Sequence, residues 1–217
     1  MLIGIIVVPL LIYTFLKVFT KPVFRHVNYL KVKTEMGDSA KAEMPDFLLY
    51  DQDGKPFGKS QMKDKLYVVY FFSSQGDTVV TKVANGYLKE DVYENSERAD
   101  FIRILAISTT SQKDAGAYIQ KTINKLEVKS PKWTWLTGSN KEIWNIAKNG
   151  LGVPEFQGTD STVVPFTAQT VCLIDNKGFL RGRYEITNPG IGGGRTLQED
   201  IRTILSTEFD EYKHVTQ

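Results

Sequence analysis

The chain has 217 residues, of which 41% are hydrophobic and 24% are charged, a composition typical of a globular domain rather than of a disordered chain. Its 27 basic and 25 acidic residues leave a net charge of +2, so the sequence does not predict a nucleic-acid-binding surface. The single cysteine, Cys172, excludes an intramolecular disulfide, a CxxC redox pair and a zinc site built from several cysteines. His26 and His214 are the two histidines, and we interpret both as solvated side chains rather than as ligands.

The first 20 residues form the most apolar segment of the chain. Residues 2–16 carry no charge, and the stretch is long enough to cross a bilayer if Lys17 snorkels. It lacks the basic start and the small-residue cleavage site of a signal peptide, and it has no polar face of the kind that a core helix would show. We therefore predict an uncleaved transmembrane helix over 1–20. Lys17, Lys21 and Arg25 follow the apolar stretch, and by the positive-inside rule they would hold the rest of the chain in the cytoplasm.

The remainder of the chain divides into three parts. Residues 21–43 are charged and show no clear period, which favours a juxtamembrane tether. The folded domain is predicted over 44–207, followed by a polar tail over 208–217.

Within the domain, the sequence LYVVYFF at 66–72 is typical of a strand buried on both faces, which implies a central sheet covered by helices. Further strands are predicted at 101–107, 133–136, 169–175 and 179–185, and helices at 79–93, 114–126, 140–148 and 196–206. Asn140 is the predicted N-cap of the third of these helices. The alternation of strands and helices, closed by a hairpin and a final helix, predicts an α/β protein with a thioredoxin-like fold, a central mixed sheet flanked by helices.

Two features of this pattern concern individual side chains. Cys172 lies among apolar residues of a predicted strand, so we interpret it as a small buried hydrophobe rather than as a nucleophile. Trp133 and Trp135 are two residues apart in a strand and therefore point to one face. At least one of them should lie in the core, whereas an exposed pair would mark a surface that binds a partner.

Several short segments together resemble the SCO/SenC family, the membrane-tethered thioredoxin-like copper proteins that help to assemble cytochrome oxidase. The segments are PDF at 45–47, DQDGKPF at 51–57, KLYVVYFF at 65–72, WLTG at 135–138, LID at 173–175 with Gly178, and Arg181-Gly182 with Tyr184. The resemblance extends over about residues 45–205 and depends on the order and spacing of these segments. It implies a bacterial inner-membrane protein with a single span and a periplasmic domain, an orientation opposite to the one that the flanking charges favour.

The resemblance also locates the family's chemistry in this sequence. The family binds copper through a CxxxC pair after the first core strand and through a histidine before the late strand. The two cysteine positions fall on Gln75 and Val79, and the histidine position falls on Thr167. Copper(I) prefers thiolate and imidazole ligands, and a thiol redox cycle needs two sulfur atoms. The sequence therefore predicts a protein without a metal, a cofactor or an enzymatic activity.

The loop that follows the first core strand remains open to more than one interpretation. Backbone N–H groups at such a strand-to-helix junction favour anions, but we favour the simpler interpretation that the loop caps the helix through Asp77 or Thr78. We also consider this loop and the tryptophan pair as a surface for contacts with a partner. The residues of this predicted surface are Ser73, Ser74, Gln75, Gly76, Asp77, Trp133 and Trp135.

Three functional hypotheses follow. The first is a non-catalytic accessory subunit of an integral membrane protein complex, which the resemblance suggests is respiratory. The second is a copper chaperone for cytochrome oxidase that uses non-standard ligands such as Met36, Met44 or Met62. The third is a small-molecule binding module that uses the cleft of the former active site.

Overall fold

The computed structural model describes residues 26–33, 39–75, 78–94, 100–110, 112–154, 169–188 and 192–209, with short pieces at 8, 12–15, 156, 158–159 and 166–167. Most of the predicted anchor over 1–20 lies outside the described residues, as do Met36, Gly76, Asp77 and His214. No helix within the described ranges combines the length and the apolar character that a bilayer crossing requires. The transmembrane helix therefore stays a prediction.

The described strands and helices alternate through the domain as the sequence predicts. The strands are β1 (Lys31–Lys33), β2 (Ser39–Lys41), β3 (Leu48–Tyr50), β4 (Pro56–Gly58), β5 (Leu66–Phe72), β6 (Ile102–Ser108), β7 (Trp133–Leu136), β8 (Thr170–Ile174) and β9 (Leu180–Glu185). The helices are α1 (Thr78–Tyr87), α2 (Gln112–Leu126), α3 (Asn140–Trp144) and α4 (Gly193–Glu208). Wider π-helical turns extend α1 over Leu88–Tyr93 and α3 over Asn145–Gly150.

Five strands form one mixed sheet in the order β7-β6-β5-β8-β9. Strands β5, β6 and β7 are parallel, and β8 and β9 are antiparallel to their neighbours. All seven residues of β5 are buried, as expected for a central strand covered on both faces. Alternate residues of β5 contribute to two separate clusters of apolar side chains. Helices α1, α2 and α4 cover one face of the sheet, and α3 with the β3–β4 hairpin covers the other.

The tether prediction is wrong for residues 26–33 and 39–43, which pack on the domain. Leu30 N donates to Leu180 O at 3.0 Å, and Leu180 N donates to Ala42 O at 2.9 Å, so the two residues that flank the β1–β2 hairpin bond to the start of β9. Val27 and Ala42 are buried. A strand of only three residues is too short to show an alternation of apolar and polar residues in the sequence. The apolar residues that contact the domain are also separated by charged residues that face outward.

The tryptophan pair is wrongly assigned to a partner surface. Trp133 and Trp135 are 1% and 0% exposed, and their rings stack at 5.7 Å between centroids. Both lie on one face of β7, as their spacing predicts, and that face is the one covered by α1 and α2. Because Tyr70 packs edge-on against both rings, at 6.3 Å from each, the pair belongs to the core. Cys172 is buried in β8, in agreement with its structural interpretation.

Candidate functional site

The candidate site begins where β5 ends, because the chain turns there between the sheet and α1. Ser73 Oγ accepts a hydrogen bond from Gln75 N at 3.0 Å, which closes a tight turn stabilised by the serine side chain. Ser73 is buried, Ser74 is half-buried and Gln75 is exposed. Among the described residues of the loop, exposure to solvent therefore increases from Ser73 to Gln75.

The neighbouring parallel strand holds this loop in place through Thr110. Thr110 Oγ1 lies 3.0 Å from Ser73 Oγ and accepts from Ser74 N at 3.1 Å. Thr110 itself is fixed because its N–H donates to Ser108 Oγ at 3.1 Å. The carboxyl ends of β5 and β6 meet at the same edge of the sheet, and this edge is where hydroxyl groups accumulate.

Thr167 brings the segment before β8 to the same edge. Ser73 N donates to Thr167 Oγ1 at 3.1 Å, and Thr81 Oγ1 of α1 lies 3.3 Å from the same hydroxyl. The adjacent Phe166 N donates to Thr109 Oγ1 at 3.0 Å. Thr167 thus joins the loop after β5, helix α1 and the approach to β8.

The three positions that the resemblance assigns to copper ligands are therefore close in space. Gln75 and Thr167 each form a hydrogen bond with Ser73, and Val79 lies in the first turn of α1, two residues before Thr81. Val79 is 65% exposed. An amide, an isopropyl group and a hydroxyl do not fit copper(I), which prefers soft thiolate and imidazole donors. The described residues also contain no group of three or more His, Cys, Asp or Glu side chains arranged to hold a metal ion.

The soft ligands that remain in the described residues lie away from this edge. Cys172 pairs with Val69, four residues back along β5 from Ser73, which corresponds to roughly 13 Å along the strand. Met62 precedes the opposite end of β5 and is 4% exposed. Met44 is fully buried, and its N–H donates to Gly178 O at 2.8 Å, in the turn between β8 and β9.

A cavity of about 480 Å³ opens beside Ser73 and Ser74, between α1 and α2. Lys82 and Asn85 of α1 line it together with Tyr118 of α2 and other α2 residues. Burial raises the pKa of Tyr118, so its phenol stays protonated at neutral pH. The sequence suggested a cleft at the former active site but did not identify the helix residues that line this cavity, since its walls come from two helices that are distant in sequence. The one available signal was Asn85, a polar residue beside Ala84 on the apolar face of α1.

Comparisons with known proteins agree with this architecture. A family model described as SCO1/SenC matches residues 35–205. No curated protein sequence gives a significant match.

Solved structures of Sco proteins share the fold. The copper-bound ScoI of Bradyrhizobium japonicum is 18% identical, with a TM-score of 0.56, over 74% of this chain and 98% of that chain. A SCO1/SenC family lipoprotein from Bacillus anthracis is 23% identical, with a TM-score of 0.56, over 74% and 93%. BsSco, a member of the Sco family of cytochrome c oxidase assembly proteins, is 18% identical, with a TM-score of 0.59, over 87% and 100%. Identities this low show the fold alone, and they confirm the thioredoxin-like prediction.

Proposed function

The chain belongs to the SCO1/SenC family, and we propose that it works in that family without copper or thiol chemistry, as an accessory subunit that binds an integral membrane protein complex. We propose no reaction for it. Its task would be to present a surface rather than to hold a metal ion, because Gln75, Val79 and Thr167 do not offer the ligands that copper(I) prefers.

One observation carries this proposal, the exposure of an apolar pair at the former ligand site. Val79 takes the position of a family cysteine and is 65% exposed, and Val83, one helical turn later, is 39% exposed. Residues four apart on a helix lie on one face, so the two valines form a small apolar patch. In the sequence, the patch follows the polar loop of Ser73, Ser74 and Gln75. An apolar centre with a polar rim is the usual composition of a protein–protein contact surface.

The nature of the partner comes from the family. BsSco is described as belonging to a family of cytochrome c oxidase assembly proteins, and the Bacillus anthracis relative is described as a lipoprotein. By analogy we propose a respiratory complex as the partner. We further propose that residues 1–20 attach this chain to the bacterial inner membrane, with the domain on the periplasmic side.

The copper-chaperone alternative finds less support in the described residues. Met44 and Met62 are buried in the core on the α3 side of the sheet, so neither reaches the edge at which Gln75, Val79 and Thr167 meet. A ligand set built from them would require the core to open.

A copper(I) titration of the full-length chain in mild detergent tests the metal-free part of the proposal. We expect the natural chain to lose copper(I) to a competing chelator. The triple variant Gln75→Cys, Val79→Cys, Thr167→His should retain about one equivalent, because it restores two thiolates and an imidazole to the shared edge. Tight, stoichiometric copper in the natural chain would contradict the proposal.

Affinity purification from gently solubilised membranes tests the partner-binding part. We expect a stoichiometric membrane complex with the natural chain and its loss with Val79→Asp, which places a charge in the apolar patch. Leu48→Asp is the matched control, because Leu48 is also exposed, at 51%, but lies on β3 away from the patch. Recovery of the natural chain without any stoichiometric partner would count against an accessory role.

A further inference from the structure

The cavity between α1 and α2 is lined by lysine, amide and aromatic side chains, a combination that an accessory role does not require. We propose that it binds a small organic anion, in which a phosphate or carboxylate group is attached to an apolar body. The proposal concerns the interior of the helix pair rather than the exposed face of α1, and it does not depend on the accessory function.

Positive charge enters the cavity from both helices. Lys82 lines it from α1, and Lys121 and Lys125, one helical turn apart, line it from α2. None of the three ammonium groups forms an ion pair with a described residue, and the lining contains no described carboxylate. Like charges around a concave surface concentrate the potential in its interior, which favours an anion there.

The wall of the cavity also supplies a hydrogen-bond donor. Asn85 is only 5% exposed, and its Oδ1 accepts a hydrogen bond from Tyr70 OH at 2.8 Å. Burial raises the pKa of Tyr70, so the phenol keeps its proton and remains the donor of this bond. The amide nitrogen of Asn85 has no hydrogen-bond partner among the described residues. The nitrogen keeps some exposure and opens onto the cavity that Asn85 lines, so it is available to donate to an oxygen atom of a ligand there.

The remaining walls suit an apolar body. Tyr118 is half-buried, and its ring stacks on Phe72 at 5.7 Å, which fixes an aromatic surface along one side. Leu126 and the aliphatic stems of the lysines extend this surface. A volume of about 480 Å³ accommodates a small organic molecule rather than a bare ion. The head group would contact the lysines and the Asn85 amide, while the body would pack against Tyr118.

Calorimetric titration of the full-length chain at low salt tests the proposal with three probes: phenyl phosphate, phenylacetate and inorganic phosphate. We expect saturable binding of at least one aromatic anion at a single site. If phenyl phosphate binds, it has a matched control in inorganic phosphate, which lacks an apolar body. Inorganic phosphate should then bind roughly tenfold more weakly. Comparison of the two aromatic anions distinguishes a phosphate from a carboxylate head group.

Two variants and one control locate the site. Lys121→Gln combined with Lys125→Gln should weaken binding by roughly tenfold or more, since two charge-assisted contacts are lost. Asn85→Asp should do the same, because it keeps the acceptor for Tyr70 OH but adds a carboxylate to the cavity. Lys141→Gln combined with Lys148→Gln removes the same charge from exposed positions of the α3 region, and it should change the affinity less than about twofold.

Three results would overturn the proposal. One is the absence of saturable binding of both aromatic anions up to about 10 mM. Another is equal weakening by the cavity variants and by the α3 control, which would indicate a general effect of net charge. The third is an equal affinity for inorganic phosphate, which would indicate an ion site without a pocket for an apolar body. Thermal unfolding of each variant verifies its fold, and the lysine pair alone decides the result if Asn85→Asp does not fold.

Discussion

Replacement of Arg181 by methionine should lower the free energy of unfolding of the domain more than the loss of an exposed ion pair would. The Arg181 guanidinium is fully buried and joins three parts of the chain. Nη1 donates to Asp175 Oδ2 at 3.1 Å, and Nη2 donates to Glu208 Oε1 at 2.7 Å and to Val27 O at 2.5 Å. The β8–β9 hairpin, the end of α4 and the N-terminal segment therefore all depend on one side chain.

The size of the effect follows from what Arg181→Met leaves behind. Removal of one partner from a buried ion pair costs about 3–5 kcal/mol, because the other charge stays buried without compensation. Asp175 keeps two backbone donors, Lys177 N and Phe179 N, both at 2.9 Å from Oδ1, and the Glu208 side chain is 21% exposed and can be hydrated. We therefore expect a loss of stability at the lower end of this range, about 3 kcal/mol. For a chain of this length, that loss corresponds to a fall in Tm of roughly 6–12 °C.

Urea unfolding followed by circular dichroism measures this difference in the free energy of unfolding. Arg195→Met is the matched control, because Arg195 forms an ion pair with Glu199 at 3.0 Å in which both side chains are largely exposed. Exposed pairs contribute little, so the control should unfold close to the natural protein. A loss below about 1 kcal/mol for Arg181→Met, or an equal loss for both variants, would refute the reasoning about burial.

Two further predictions concern the core next to the candidate site. Trp135→Ala should lower the free energy of unfolding by about 3–5 kcal/mol, as expected for a large buried side chain, and a change below about 0.5 kcal/mol in urea unfolding would show that the ring is not part of the core. Burial raises the pKa of Tyr70 well above its ordinary value of 10.0, so its contribution to stability is complete below that pH and is lost as the pH rises further. Tyr70→Phe should therefore flatten the alkaline decline in the free energy of unfolding, and an unchanged decline would contradict a buried phenol.

Elements with a strong local signal could be predicted from the sequence. The bounds of β5 agree with the prediction at both ends, because seven consecutive apolar residues leave a central strand as the simplest arrangement. Helix ends were less accurate, since they depend on individual side-chain contacts. The N-cap of α3 is Ser139, whose Oγ accepts from Glu142 N, rather than the predicted Asn140. Ser139 and Asn140 are both good N-cap residues, so composition alone could not choose between them.

Features that depend on contacts between distant segments could not be predicted. The segment of β1 and β2 resembles a tether in sequence, because the contacts that attach it to the domain are made with the distant residue Leu180. The cavity between α1 and α2 is lined by Lys82 of one helix and Lys121 of the other, and the sequence does not show that these two helices lie side by side. In contrast, the positions that the resemblance assigns to Gln75 and Thr167 are counted from strands of the central sheet, and in the structure both residues form a hydrogen bond with Ser73.

The arrangement at that edge would explain how the fold could persist in the metal-free protein that we propose. A copper ion held by the loop after β5 and by the segment before β8 would link these two parts of the chain. In this protein Thr167 makes the same link through its hydroxyl, which accepts from Ser73 N and lies within hydrogen-bonding distance of Thr81 Oγ1. Thr110 adds a second link, from the end of β6 to the same serine. Neutral hydrogen bonds of this kind need no soft ligands, so they would hold the edge in place while the exposed Val79 contributes to the contact surface that we propose.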